Sequence, residues 1–139
     1  MSDGFTTRLT LPALARYGRV ARLAAAGVAA EAGLSVDDVE DLRTAVNELF
    51  SLLVEDAPSE DDLVELVLVE IERGTIEVTG HRQVSHADPS SEPEPDDLTR
   101  EILSVVVDDF DLDTSGDVRS FQLRKSARIV PTGGEQTSP

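Results

Sequence analysis

The chain has 139 residues, 40% of them hydrophobic but only 4% aromatic, and it contains no cysteine. That is one domain's length, able to bury a core without staples, and the core has to be built from Leu, Val, Ala and Ile. A disulfide framework and a thiolate metal site or nucleophile are excluded, and His81 and His86 alone make a poor zinc set. Twelve basic against 28 acidic residues give a net charge of −16, which repels nucleic acid and anionic membrane and suits a basic protein partner.

Eleven of the twelve basic residues are Arg, and Lys125 is the single lysine. No apolar run is long enough to span a membrane, and MSDGFTTR has no signal-peptide pattern, so a cytoplasmic protein is expected.

The first predicted element is a strand, FTTRLTL, with Phe5, Leu9 and Leu11 on one face. Pro12 suits the first turn of a helix, and Ala13 to Ala32 is rich in helix formers, with Tyr17, Val20, Ala21, Ala24 and Val28 as its apolar stripe and Gly33 as its stop. Arg16, Arg19 and Arg22 lie three apart and form a basic ridge on that helix, either a solvated face or a contact surface.

Ser35, with Asp38 three residues on, caps a second helix whose core face carries Val36, Val39, Leu42, Val46, Leu49, Phe50 and Leu53. Ala57-Pro58-Ser59 breaks it. Strands over 63–71 and 75–80 follow, joined at Arg73-Gly74 as a hairpin.

The stretch 81–97, HRQVSHADPSSEPEPDD, is polar and proline-rich and reads as a loop. A third helix spans 98–107, capped near Asp96 or Asp97, with Leu98, Ile102, Val105 and Val106 on one side. Strands over 110–112 and 118–129 flank the turn 114–117, and residues 131–139 form a frayed tail. DDFDLDTSGD lacks the closing glutamate of a calcium loop and reads as a solvated turn. No nucleophile-elbow motif supports a Ser/His/Asp hydrolase.

The order β-α-α-β-β-loop-α-β-β implies an α+β domain over residues 5–130. Its architecture would be a two-layer α/β sandwich, with helices on one face of a mixed, mostly antiparallel sheet.

The segment VEDLRTAVNELFSLLVEDA resembles the (I/V)EDL+xAVxEAxxNAVxHA helix of the bacterial anti-sigma-factor serine kinases, of the histidine-kinase-like and gyrase-type ATPase superfamily. It matches at Val39, Glu40, Asp41, Leu42, Ala45, Val46, Glu48, Val54 and Ala57. The resemblance implies a histidine-kinase-like ATPase fold, with Glu48 as the catalytic residue that polarises a hydroxyl or water. It also implies a partner-contacting helix matching RYGRVARLAAAGVA, with Arg22 and its neighbour Arg19 as contact residues.

Three elements depart from the family. The family's Mg²⁺-binding Asn lies four residues after the Glu, one helical turn on, where this chain has Leu52. Its Asp-x-Gly-x-Gly stretch, whose Asp reads adenine, is replaced by Gly80-His81-Arg82-Gln83-Val84. Its glycine-rich lid, whose backbone amides wrap the phosphates, is replaced by the acidic, glycine-free SSEPEPDDLTREIL, and 81–97 stands in the lid's place.

Together these departures predict a regulator that acts by protein–protein binding and partner switching, a pseudokinase without ATP or metal. By the resemblance, its partners would be a sigma factor or an anti-anti-sigma protein, and it would form a homodimer. Two alternatives stand beside it. One is an active serine kinase using Mg·ATP, and the other is an acidic decoy of a basic nucleic-acid-binding surface, with strongly salt-dependent binding.

Overall fold

The computed structural model describes residues 5–85 and 92–128. The elements in chain order are β1 (Thr6–Ala13), a 3₁₀ turn (Ala15–Tyr17), α1 (Gly18–Glu31), α2 (Val36–Val54), β2 (Ser59–Glu72), β3 (Thr75–Gln83), α3 (Asp97–Val106), β4 (Asp109–Asp113) and β5 (Val118–Ser126). The sheet order is β1-β2-β3-β5-β4. The chain is thus α+β, helices on sheet as expected, and among the described residues every pairing is antiparallel, where a mixed, mostly antiparallel sheet was expected.

Strand alternation builds the layer boundary. Val64, Leu66 and Leu68 of β2, Ile76 and Val78 of β3, and Phe121 and Leu123 of β5 are all buried. They meet Leu42, Ala45, Val46, Leu49, Phe50 and Leu53 of α2, one continuous core. Gly80 stands directly opposite Phe121. A Cβ at Gly80 would come within 2.6 Å of the Phe121 ring, so only glycine lets that ring lie across β3. Gly33 (φ 86°) ends α1 and Gly74 (φ 80°) makes the β2–β3 turn, both in the left-handed region that glycine enters freely.

Several expected boundaries move. Pro12 belongs to β1 rather than to a helix; the register shifts between Pro12 and Ala13, and this bulge accommodates a residue with no N–H to donate. β2 begins at Ser59, four residues earlier than its apolar run. The buried face of α1 is Gly18, Ala21, Ala25 and Ala29, while Val20 and Leu23 of the same helix are exposed. Small residues three or four positions apart bring α1 close to α2: a Cβ at Gly18 would sit 3.4 Å from Asn47 Oδ1.

β3 also runs on to Gln83, into the stretch read as the start of a loop. Arg82 and Arg119 are paired across β3 and β5, which carries the ladder past Gly80. Residues 86–91 of the expected loop and the expected tail 131–139 lie outside the described residues.

Candidate functional site

Helix α2 is the centre of the expected site. Ser35 caps it, its side chain accepting from Asp38 N–H at 3.1 Å, as its position predicted. Glu48 lies half-buried on α2. One turn later Leu52 is 6% exposed and joins the core. That position therefore presents packed methyl groups rather than an oxygen.

Below the C-terminal end of α2, the sheet offers charge instead of methyls. Arg82 is 1% exposed and Arg119 is fully buried. The Arg82 guanidinium donates to the Leu53 carbonyl at 2.7 Å, to the Ala57 carbonyl, and to Asp62 Oδ2 at 2.8 Å. Arg119 grips both carboxylate oxygens of Asp56, with Nη2 2.9 Å from Oδ2. These bonds take up the Leu53 carbonyl, one of those a helix C-terminus leaves without a partner, and put positive charge at the negative end of its dipole.

The same cluster holds down the chain after β3. Asp62 accepts from the Ser85 backbone N–H at 3.2 Å and from its hydroxyl, and Val84 N–H donates to the Asp117 carbonyl at 2.6 Å. Burial by itself would raise the Asp62 carboxyl; the Ser85 hydroxyl, the Arg82 guanidinium and the Ser85 N–H together hold it below the usual range.

The N-terminal end of α2 has a second charged clasp. Asp38, 1% exposed, lies 3.3 Å from Lys125 Nζ and accepts from Arg128 N–H at 3.0 Å. Asp41 takes Lys125 at 3.2 Å and also pairs with Arg128. Burial pushes Asp38 up, and the Arg128 N–H and the Lys125 charge outweigh it, leaving the carboxyl below its ordinary value.

The basic ridge of α1 is present as a surface feature. Arg16, Tyr17, Arg19, Val20 and Arg22 line a shallow concavity of about 610 Å³, with the Arg16 guanidinium 5.4 Å from the Tyr17 ring centre. The structure brings Arg19 and Arg22 together there, without Glu48. Arg19 is exposed. Arg22 is half-buried and donates to Asn47 Oδ1 at 2.9 Å, tying the ridge to α2.

Where the lid would stand, Glu92, Pro93, Glu94 and Pro95 face Asp111 and Asp113 across a groove of about 330 Å³, and the Thr114 hydroxyl donates to the Pro93 carbonyl at 2.7 Å. The expected turn is an Asx turn, with Ser115 N–H on Asp113 Oδ1 at 3.0 Å.

Sequence reasoning missed the buried cations Arg82, Arg119 and Lys125. Alternation could have found them, since Arg82 shares a strand face with Ile76, Val78 and Gly80, and Arg119 and Lys125 share one with Phe121 and Leu123.

This arrangement, three helices on one face of an antiparallel sheet with α2 as its spine, is a fold shared with a solved bacterial structure. The chain superposes on the crystal structure of the RsbU and RsbW domains of Rv1364c from Mycobacterium tuberculosis with a TM-score of 0.60 and 18% identity, over 91% of this chain and 34% of that one.

In sequence, 53 residues are 40% identical to the serine-protein kinase RsbW of Bacillus cereus (strain AH187), or 38% of this chain and 33% of the relative. The RsbW of Bacillus thuringiensis (strain Al Hakam) matches to the same extent. The match thus spans about a third of the length of these curated relatives. No family model matches the chain. Among the described residues, no helix is long and apolar enough to cross a membrane.

Proposed function

We propose that this chain is an anti-sigma-factor-like regulator that acts by binding protein partners and has given up Mg·ATP. The observation that carries this reading is the filling of the space beneath the C-terminal half of α2. Leu52 is packed in the core, the Phe121 ring lies across Gly80, and the Arg82 guanidinium is spent on Leu53, Ala57 and Asp62. These residues do not fit a magnesium nucleotide. Leucine supplies no oxygen to a hard cation, and the acids at 92–97 repel a triphosphate. No catalytic step is therefore assigned to Glu48.

The surface that would face a sigma factor or an anti-anti-sigma protein is the α1 ridge with Arg19 and Arg22. The similarity to RsbW chains supports that choice. Calorimetric titration with Mg·ATP and Mg·ADP to millimolar concentration tests the reading. No heat and no thermal stabilisation are expected.

The similarity to serine-protein kinases favours one second reading: an active kinase with Glu48 as its base. Micromolar nucleotide binding would put that reading first. Homodimerisation and the acidic decoy rest on the resemblance and on net charge alone. Sedimentation and the salt dependence of partner binding separate them.

A further inference from the structure

We propose that the exposed face of α3 is a docking surface for an amphipathic helix whose apolar stripe is bordered by Lys or Arg. This surface lies apart from the α1 ridge and does not depend on the function proposed above. α1 packs on α2 and β2, whereas α3 packs on α2 and β4, so α2 stands between the two.

The sequence pattern placed Leu98, Ile102 and Val105 on one side of α3, and the fold leaves that side open. The three residues are 66%, 37% and 73% exposed, and Leu103 is the buried residue of the helix. The steps of four and three residues put them in one row about 10 Å long. A single exposed leucine is ordinary; an aligned row on one helix marks a contact surface.

The border of the row chooses its occupant. Asp97 and Glu101 follow it along one flank at helical angles of roughly 100° and 60° from Leu98, and Asp108 and Asp109 lie beyond its end. All four are exposed. Arg100, the basic residue of α3, projects from the far side and pairs with Glu94 at 3.0 Å. An apolar row bordered by carboxylates complements a basic amphipathic helix, with i, i+4, i+7 anchors for affinity and charge for orientation. A second copy of this chain would instead bring the same carboxylates to the same border across a two-fold axis, and an anionic bilayer would be repelled.

The test uses the full chain and a synthetic helix of roughly 18 residues with leucines in one row flanked by lysines, and a control peptide with glutamates in place of the lysines. Backbone amide shifts map the contact and fluorescence anisotropy gives the affinity. The lysine peptide should shift the amides of α3. Val105→Glu and Glu101→Lys should each weaken binding about tenfold or more with the melting temperature unchanged, because both positions are exposed. The proposal is overturned by equal affinity in both variants, by shifts centred on α1 or the open sheet face, or by equal binding of the glutamate peptide. A dimer dissolved by Val105→Glu would also overturn it, by making a second copy the occupant.

Discussion

The two ends of α2 are both tied to β5 by buried ion pairs, yet the ties differ in kind. At the N-terminal end, Lys125 shares two carboxylates with Arg128, whose side chain is 53% exposed, so water reaches the clasp. At the C-terminal end, the side chains of Arg82 and Arg119 are wholly shielded, and Arg82 spends two of its bonds on backbone carbonyls. The first is a tie between side chains that solvent can partly replace. The second is shielded by the core, and its removal takes the guanidinium from both carbonyls. An ion pair's worth is therefore set less by its distance than by what is left behind when one partner goes.

The largest effect should come from emptying the shielded end. Arg82→Ala takes the countercharge from Asp62, leaving it only its Ser85 bonds, and frees two carbonyls, and should cost about 3–5 kcal/mol by urea unfolding. A cost like that of a surface pair would show that water already serves the site. Leu52→Asn should come next, at about 2–4 kcal/mol for lost packing at the same end. It should not produce Mg·ATP binding in a calorimeter, because Arg82 and the acidic segment remain. Tight binding by that mutant would show that one side chain alone had closed the site.

Acid addresses both ends at once. Asp38 and Asp62 have folded pKa values below the ordinary 3.8, so their stabilisation is fully present above that value and is lost as pH falls through the folded values. Melting temperature should hold from neutrality to about pH 5 and fall steeply below pH 4, and the combined Asp38→Asn, Asp62→Asn variant should show a shallower fall. An unchanged slope in that variant would take both carboxylates out of the acid response.

The smallest effects belong to the α1 ridge. Arg22→Ala loses its bond to Asn47 and should cost about 1 kcal/mol, whereas Arg19→Glu should leave stability within about 0.5 kcal/mol. Both should weaken capture of a sigma-factor or anti-anti-sigma partner. Equal capture by Arg19→Glu and the unmodified chain would remove the ridge from the proposed function.

Most of the fold could be read from the residues because α2, β3 and β5 carry apolar periods, and Gly33, Ser35 and Gly74 mark the end of α1, the start of α2 and the β2–β3 turn. The start of β2 was hidden because Ser59 to Asp62 carries no apolar residue; it is a strand because Ala13 pairs with Ser59 and Asp62 is buried under Arg82. The α1 stripe was misplaced because alanines are weak hydrophobic signals, although they pack closest. The charged end of the site was the least legible. An arginine in a polar run looks like a surface residue, and only the strand period carried through Gly80 puts Arg82 inside.

The ties of α2 also bear on the order of assembly. They join residues 63 and 90 positions apart in the chain, at Asp56–Arg119 and Asp38–Arg128. During synthesis, α2 and the first three strands emerge well before β5, and until β5 arrives Asp38, Asp41 and Asp56 lack their β5 and Arg128 countercharges. β5, the last of the described strands to emerge, thus closes both ends of the helix, which makes that closure a late, long-range event rather than a gradual one.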